Sequence, residues 1–209
     1  MTIFHWVRHE ESMGNLAAKA AQKLGAQRLA IPWPTQDIPL SPEGRVRAAA
    51  IKPPKSQIVF TSPQARALET MHLCMPGLGF YVKDLRLVDK ESGVFDKLSV
   101  RGMQDLYPEE WEERQRVGKF YHRPPGGESW LDVAIRVKAF MDSKLKFDSV
   151  LVFSHDVTIL TAIFLSSEMT PEELLEFQRN TPVENGSVTS LTYKGVSNVE
   201  NRGVGLVSR

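Results

Sequence analysis

Two apolar segments, each followed by a histidine and a helix-favouring stretch, narrow the choice of folds for this chain. Ile3 to Val7 is an aromatic and β-branched run that predicts a strand buried on both faces, and it leads into Arg8 and His9. Ser149 to Ser154 is the most hydrophobic strand-like run, suited to the centre of a sheet, and His155 follows it. In open α/β sheets, ligands bind where the carboxyl ends of strands meet the amino ends of helices. The sequence therefore predicts a site that contains both histidines.

The alternation of strand and helix signals indicates a parallel sheet covered by helices on both faces. Further strands are predicted at Gln57 to Thr61, at Phe80 to Val82 and at Val188 to Tyr193. Helices are predicted at 16–25, 42–51, 63–75, 130–145, 157–165 and 169–179. We therefore predict an α/β fold, a three-layer α/β/α sandwich with a mostly parallel central sheet, as one domain over residues 1–209. The tail after Gly195 either adds an edge strand or lies loose.

One segment interrupts this pattern with a different composition. Residues 99–125 are rich in charged and aromatic side chains, and Glu110 precedes Arg114, as Glu112 precedes Arg116, by one helical turn. We interpret the region of about 94–127 as a small, mostly helical cap inserted into the domain. Its mixed charges are typical of a solvated helix face.

Composition excludes several classes of protein. The 209 residues are 42% hydrophobic and 24% charged, with a formal net charge of +1, so no general attraction to nucleic acid or membrane is expected. Cys74 is the only cysteine, which excludes an internal disulfide and fits a reducing compartment. No apolar run approaches the roughly 20 residues needed to span a bilayer, and no signal-peptide pattern opens the chain, so we expect a cytoplasmic protein.

Two arginines accompany the two histidines. Arg8 directly precedes His9, and Arg66 lies at the start of the helix after the second strand. Guanidinium groups repel a metal ion but offer forked donors that match phosphate oxygens. Since no HExxH or HxH spacing occurs either, we predict a phosphate site without metal or organic cofactor.

Five segments, in order along most of the chain, resemble motifs of the histidine phosphatase superfamily, the phosphoglycerate-mutase-like group. They are RHEESMGN (8–15), SPQARALET (62–70), LRLVDKESGVFDKLS (85–99), PPGGES (124–129) and FSHD (153–156). Each motif alone is weak, but five in the family's order are highly specific.

The resemblance implies a role for each matching residue. His9 would be the nucleophile that forms a phosphohistidine intermediate, and the phosphoryl oxygens would be held by Arg8, Asn15, Arg66 and His155. The proton donor would be the carboxylate four residues before Gly93, which is Asp89. Glu91 and Asp156 are the alternatives, the latter because one branch of the family uses a His-Asp pair.

Two positions depart from the family's pattern, because Glu10 and Asp156 each replace a glycine that follows a histidine. A carboxylate close to phosphate is repulsive unless it points away. We expect the Glu10 side chain to face solvent or an arginine. The alternative is that Glu10 narrows the substrate range or cripples turnover.

The resemblance implies a metal-independent phosphomonoesterase that acts on a small phosphorylated metabolite. A phosphoglycerate-mutase-type transfer is less favoured, because Gly14 stands where the mutase form of the first motif has tryptophan and the cap is modest. A catalytically impaired protein that binds phosphate esters is a further alternative. The candidate residues for contact with the distal part of the substrate are Lys97, Arg101, His122 and Arg123 in the cap.

Overall fold

The computed structural model describes residues 1–195, and a five-stranded sheet forms its centre. The strands are β1 (Thr2–Arg8), β2 (Ile58–Thr61), β3 (Val82–Lys83), β4 (Ser149–Ser154) and β5 (Val188–Tyr193). Their order is β3-β2-β4-β1-β5, and only β5 runs antiparallel to its neighbour. The α/β fold with a mostly parallel sheet is therefore confirmed, as is the central position of β4. The tail after Gly195 lies outside the described residues.

The helices are α1 (Met13–Leu24), α2 (Pro42–Ala48), α3 (Ala65–Cys74), α4 (Val100–Leu106), α5 (Pro108–Val117), α6 (Trp130–Asp142), α7 (Asp156–Ser166) and α8 (Pro171–Asn180). The first helix begins three residues earlier than its apolar run predicts. Ser12 caps it by accepting from the Asn15 N–H, and the Asn15 side chain accepts from the Ser12 N–H in return. This reciprocal cap satisfies two N–H groups at the helix start.

Two apolar layers, one on each face of the sheet, hold the sandwich together. Val150 and Val152 of β4 pack with residues of α6, α7 and α8 on one face. Leu151 and Phe153 point to the opposite face, where α3 contributes Met71. This alternation follows from the two-residue period of a strand, and it confirms the three layers.

Two details of the strand predictions were wrong. Ile3 is 41% exposed, so β1 is not buried on both faces along its whole length. It lies opposite Ser149, the first residue of β4, at the amino edge of the sheet. The third strand covers Val82–Lys83 and excludes the exposed Phe80, because only Val82 and Lys83 pair with β2.

The cap contains α4 and α5, as its helix signals indicate. The ion pairs suggested by the spacing do not form, however. Arg116 pairs with Glu113, Glu110 contacts His122, and the Arg114 guanidinium lies over the ring of Trp111. None of the helices within residues 1–195 combines the length and the apolar character needed to cross a bilayer.

Candidate active site

The register of β1 against β4 brings the two predicted histidines together. Arg8 lies opposite Ser154, so His9 and His155, the next residues of the two strands, emerge side by side at the carboxyl edge of the sheet. Their ring centroids are 5.1 Å apart with an interplanar angle of 60°. Both residues are buried.

The ring of His9 is held in one tautomer by the main chain of the next residue. Its Nδ1 lies 2.7 Å from the carbonyl oxygen of Glu10. Because a carbonyl oxygen only accepts, Nδ1 carries the proton and Nε2 keeps a free lone pair. Burial and the charge of Arg66 lower the pKa of His9 to about 3, so the imidazole is neutral at neutral pH. This neutral ring is suited to nucleophilic attack.

His155 is anchored through its other nitrogen. Its Nε2 lies 2.9 Å from the Ser62 hydroxyl oxygen. Its Nδ1 is buried without a hydrogen-bond partner among the described residues and lies 3.7 Å from Oδ2 of Asp89. Burial lowers the pKa of His155 well below its ordinary value. A buried ring nitrogen that lacks a partner is available to a bound ligand.

Arg66 begins the helix that follows β2, and its guanidinium is held on three sides. It donates to Oδ2 of Asp89 (2.9 Å), to Oε1 of Gln64 (2.8 Å) and to the carbonyl oxygen of Thr35 (3.0 Å). Such contacts fix the plane of the guanidinium fork before any ligand arrives.

Arg8 approaches from the side of the sheet occupied by β5. It donates to the carbonyl oxygen of Val183, and its Nη2 lies 3.8 Å from Oδ2 of Asp156. Its Nε is buried and has no partner among residues 1–195. The two guanidiniums thus come from different elements, β1 and α3.

The three candidate proton donors are placed differently. Asp89 lies inside the site, between Arg66 and His155. Desolvation opposes ionisation of Asp89, but interactions with His155 and Arg66 outweigh it and lower its pKa. Desolvation raises the pKa of Asp156, against the lowering effect of the Arg8 charge. Glu91 is exposed and makes no side-chain contact with the histidines among the described residues.

The remaining predicted residues, Asn15 and Glu10, make hydrogen bonds to neighbouring segments. Oδ1 of Asn15 accepts from Ser12 in the cap of α1, so its Nδ2 is the group it offers to a ligand. The carboxylate of Glu10 accepts from Nε of Arg47 (3.1 Å) and from the N–H of Glu11 (2.8 Å). Of the two expectations for Glu10, the structure supports the one in which it faces an arginine.

Comparison with known families agrees with this geometry. The model of the histidine phosphatase superfamily (branch 1) matches residues 25–202. The chain belongs to this superfamily. Arg8 and His9 precede the matched segment, so their assignment depends on the register and the ring contact described above.

Relatives of this superfamily member include two kinds of enzyme. Human 6-phosphofructo-2-kinase/fructose-2,6-bisphosphatase 3 is 32% identical over 116 residues, which are 52% of this chain and 22% of that protein. The chain thus spans only about a fifth of that relative's length. The 2,3-bisphosphoglycerate-dependent phosphoglycerate mutase 2 of Gloeobacter violaceus is 27% identical over 187 residues, covering 83% of this chain and 80% of the mutase.

Solved structures of phosphatases share the fold. Alpha-ribazole phosphatase from Shigella flexneri superposes with a TM-score of 0.71 at 18% identity, covering 92% of this chain and 91% of that one. A mycobacterial glucosyl-3-phosphoglycerate phosphatase in complex with VO3 gives 0.70 at 20% identity, with coverage of 92% and 93%. At these identities the similarity shows the fold alone.

In this member of the histidine phosphatase superfamily, one cavity is lined by Asp89 and a second cavity adjoins the first. A cleft of about 670 Å³ is lined by Gln64, Asp89 and Lys97, among others. A smaller cavity of about 170 Å³ lies under the cap and is also lined by His122. Lys90 and Ser92 line both, so the two spaces adjoin each other.

The smaller cavity, which we call the cationic cavity, is lined by Lys90, Ser92, Phe95, Met103, Arg114, Lys119, His122, Pro124 and Trp130. Lys90, Arg114 and Lys119 form no ion pair with a carboxylate within residues 1–195. Burial, together with the charge of Arg114, lowers the pKa of Lys119 to about 8. Three cations that lack a contacting carboxylate around a small cavity suit an anionic group.

The four cap residues predicted to read the substrate do not all face these cavities. Lys97 lines the cleft and His122 the cationic cavity. Arg101 instead donates to the carbonyl oxygen of Gly25 and pairs with Asp105. Arg123 pairs with Asp132. Neither Arg101 nor Arg123 lines these two cavities, and each has a carboxylate partner.

Several contributors to the site were missed by sequence reasoning. Ser62 and Gln64 lie in the same motif as Arg66, and this position was the sequence signal that could have identified them. Both side chains are buried in the structure. Thr35 contributes a carbonyl oxygen from a short 3-10 helix (Thr35–Asp37) between α1 and α2, for which no sequence signal was found. No group of three or more His, Cys, Asp or Glu side chains within the described part of the chain has the arrangement of a metal site.

Proposed function

We propose that this chain is a phosphomonoesterase that transfers the phosphoryl group of its substrate first to His9 and then to water. One observation carries the proposal. The proton of the His9 ring is committed to a carbonyl oxygen through Nδ1, which leaves the Nε2 lone pair beside His155 and within a cluster of arginines. A neutral nucleophile surrounded by positive charge is suited to attack on an anionic phosphate ester.

In the first step Nε2 of His9 forms a bond to phosphorus while the bond from phosphorus to the ester oxygen breaks. The bonding electron pair leaves with that oxygen, which takes a proton from the general acid. Arg8, Arg66 and His155 bind the three non-bridging oxygens and stabilise their charge, and the Asn15 amide is an additional donor.

In the second step water attacks the phosphohistidine. The bond from nitrogen to phosphorus breaks, its electron pair returns to Nε2 of His9, and the carboxylate left by the first step accepts a proton from the water. Inorganic phosphate is released. Dividing one difficult displacement into two in this way lowers the barrier of each.

Asp89 is our candidate for the general acid, because it is the carboxylate inside the site. Its lowered pKa describes the protein without substrate, where Arg66 holds the carboxylate ionised. A phosphoryl dianion bound to Arg66 neutralises that charge and raises the pKa of Asp89 when protonation is needed. Asp156 is the second candidate, because its pKa is already raised.

The cationic cavity indicates the class of substrate. Since Lys90 lines both spaces, a molecule in the cleft beside Asp89 can extend a second anionic group toward Arg114 and Lys119. We therefore infer a phosphomonoester with a further phosphate or carboxylate. The names of relatives with bisphosphate or phosphoglycerate substrates support this class.

Hydrolysis is favoured over the two alternatives. The Glu10 carboxylate is bound by Arg47, which removes the main reason to expect an impaired site. A mutase-type transfer stays the second function, because the Gloeobacter violaceus mutase matches over most of its length. The predicted cytoplasmic location and small-molecule partner stay predictions.

The test is hydrolysis of para-nitrophenyl phosphate with and without a chelator. We expect release of phosphate that the chelator does not change, an acid-labile phosphoryl group trapped on the protein, and loss of both in His9→Ala. Phosphate binding without turnover supports the impaired protein instead. Phosphoryl exchange between phosphoglycerates without net release supports the mutase.

A further inference from the structure

Glu10 is a buried carboxylate that the proposed reaction does not use. Its side chain is only 6% exposed, whereas that of its partner Arg47 on α2 is 49% exposed. Burying a charge is unfavourable unless it is paired and hydrogen-bonded. Glu10 meets both conditions, since its Oε2 accepts from Nε of Arg47 and from the N–H of Glu11.

The main chain of the same residue contacts the nucleophile. The Glu10 carbonyl oxygen accepts the Nδ1 proton of His9 at 2.7 Å, and the Glu10 N–H donates to Oγ1 of Thr70 at 3.0 Å. Thr70 in turn donates to the carbonyl oxygen of Arg66. The orientation of this carbonyl decides which nitrogen of His9 is protonated.

A close contact fixes the other side of the Glu10 side chain. Gly186 has a φ of +71°, and a Cβ at this position would lie 2.4 Å from Oε1 of Glu10. The Gly186 N–H donates to the carbonyl oxygen of Arg8 at 3.1 Å, and the Asn185 side chain donates to that of His9 at 2.9 Å. The carboxylate therefore fits between α2 and a turn that itself holds the nucleophile's main chain.

We propose that the ion pair between Glu10 and Arg47 positions the nucleophile, by fixing the Glu10 carbonyl oxygen that keeps the proton of His9 on Nδ1 and its lone pair on Nε2. Glu10 and Arg47 are positioning residues that act through His9. The proposal rests on the proposed role of His9. Without the ion pair the Glu10 peptide rotates more freely, and the tautomer with the proton on Nε2, which cannot attack phosphorus, becomes populated.

The test uses Arg47→Met and Glu10→Gln, with Arg45→Met as the matched control. Arg45 lies on the same helix and makes an ion pair of the same kind with Glu69 (2.9 Å), away from the histidines. We expect Arg47→Met and Glu10→Gln to lower kcat for para-nitrophenyl phosphate by about tenfold with little change in KM. Arg45→Met should keep the kcat of the wild type, and Arg47→Lys should recover part of the loss.

The second readout is the tautomer of His9, measured by 15N NMR of histidine-labelled protein without substrate and assigned by comparison with His9→Ala. We expect protonated Nδ1 in the wild type and in Arg45→Met, and a mixture of tautomers in Arg47→Met and Glu10→Gln. Arg47→Met leaves the buried Glu10 carboxylate without its ion-pair partner, whereas Glu10→Gln leaves no unpaired buried charge. Glu10→Gln is therefore the variant to measure if Arg47→Met does not fold.

Unchanged kcat together with a single Nδ1-protonated tautomer in the folded variants would overturn the proposal, as would an equal loss of kcat in Arg45→Met. The tautomer measurement needs no turnover. It therefore separates failure of this proposal from failure of the proposed phosphatase function.

Discussion

The ring of His9 lies 5.1 Å from the ring of His155 because Arg8 and Ser154, the residues that precede them, are partners in the register of two parallel strands. A shift of this register by one residue would turn every side chain of β1 to the other face of the sheet. Burial of the apolar layers on both faces therefore also fixes the geometry of the histidine pair.

The hydroxyl of Ser62 is expected to orient His155. In Ser62→Ala the ring loses its 2.9 Å contact, so we expect kcat to fall by about tenfold while the free energy of unfolding falls by about 1 kcal/mol. Steady-state kinetics and urea unfolding measure the two effects.

Ser143→Ala is the control for this change. It removes a hydroxyl contact of the exposed Ser143 to the Phe140 carbonyl oxygen (2.7 Å) at the end of α6. We expect a smaller loss of stability than in Ser62→Ala, with unchanged kcat. Equal losses of kcat in both variants would show that Ser62 has only a structural role.

The general acid can be identified by comparing variants on two substrates whose leaving groups differ in their need for a proton. An alkyl phosphate needs a proton on its departing oxygen much more than para-nitrophenyl phosphate does. If Asp89 is the acid, Asp89→Asn lowers kcat/KM for the alkyl ester by at least about tenfold more than for the nitrophenyl ester. A larger difference in Asp156→Asn than in Asp89→Asn assigns the role to Asp156.

Lys119 is expected to bind the second anion of the substrate. Lys119→Met should raise KM for a bisphosphorylated or carboxylated phosphomonoester by about tenfold and leave KM for para-nitrophenyl phosphate unchanged. The control is Arg116→Met, which changes an exposed cation of α5 that is paired with Glu113. The same relative change in KM for both substrate classes in Lys119→Met would exclude the cationic cavity as a subsite.

The pKa of Lys119 gives this subsite a pH dependence. Burial and the Arg114 charge lower that pKa to about 8, so the ammonium group loses its proton as the pH rises through about 8. We expect KM for the doubly anionic substrate to rise above that pH in the wild type. Lys119→Arg, which stays cationic, should remove the rise.

The buried histidines predict sensitivity to acid. The pKa of His9 is lowered from 6.5 to about 3, so the unfolded chain binds a proton that the folded protein excludes between these values. Stability is therefore complete above pH 6.5 and falls as the pH decreases, by about 1.4 kcal/mol per pH unit for each such histidine. His155 adds to this slope in the same direction.

Urea unfolding between pH 6.5 and 5 measures how the free energy of unfolding changes with pH. His9→Asn should reduce this slope by the amount that corresponds to about one bound proton. The raised pKa of Asp156 acts in the opposite direction at pH values above the ordinary pKa of an aspartate, because the folded protein retains that proton longer as the pH rises. A slope unchanged in His9→Asn would show that the His9 ring is protonated in the folded protein.

Most of the fold was predictable because its signals are local. The alternation in β5 was located to the residue, as was the apolar run of β4, since a strand's period and its composition are properties of neighbouring residues. The predicted helix ends were less accurate where a side-chain cap determines the first residue of the helix, as Ser12 and Asn15 do for α1.

The site was predictable only in part. His9, His155, Arg66 and Asp89 lie in recognisable motifs, and the structure places them together. The cap was less predictable, because exposed ion pairs contribute at most about 1 kcal/mol and helical spacing alone does not choose between partners. Arg116 accordingly pairs with Glu113 instead of Glu112.

By itself the sequence determined the approximate positions of the strands and the two histidines that follow β1 and β4, because backbone preference and polarity act along the chain. Only the tertiary structure decided the partners of the charged groups. Arg47 of α2 pairs with Glu10, and Lys90 and Lys119 line the same cationic cavity. Packing brings these groups together from distant parts of the sequence. The distances between the charges and the burial of their side chains then set the strength of the electrostatic interactions in the site.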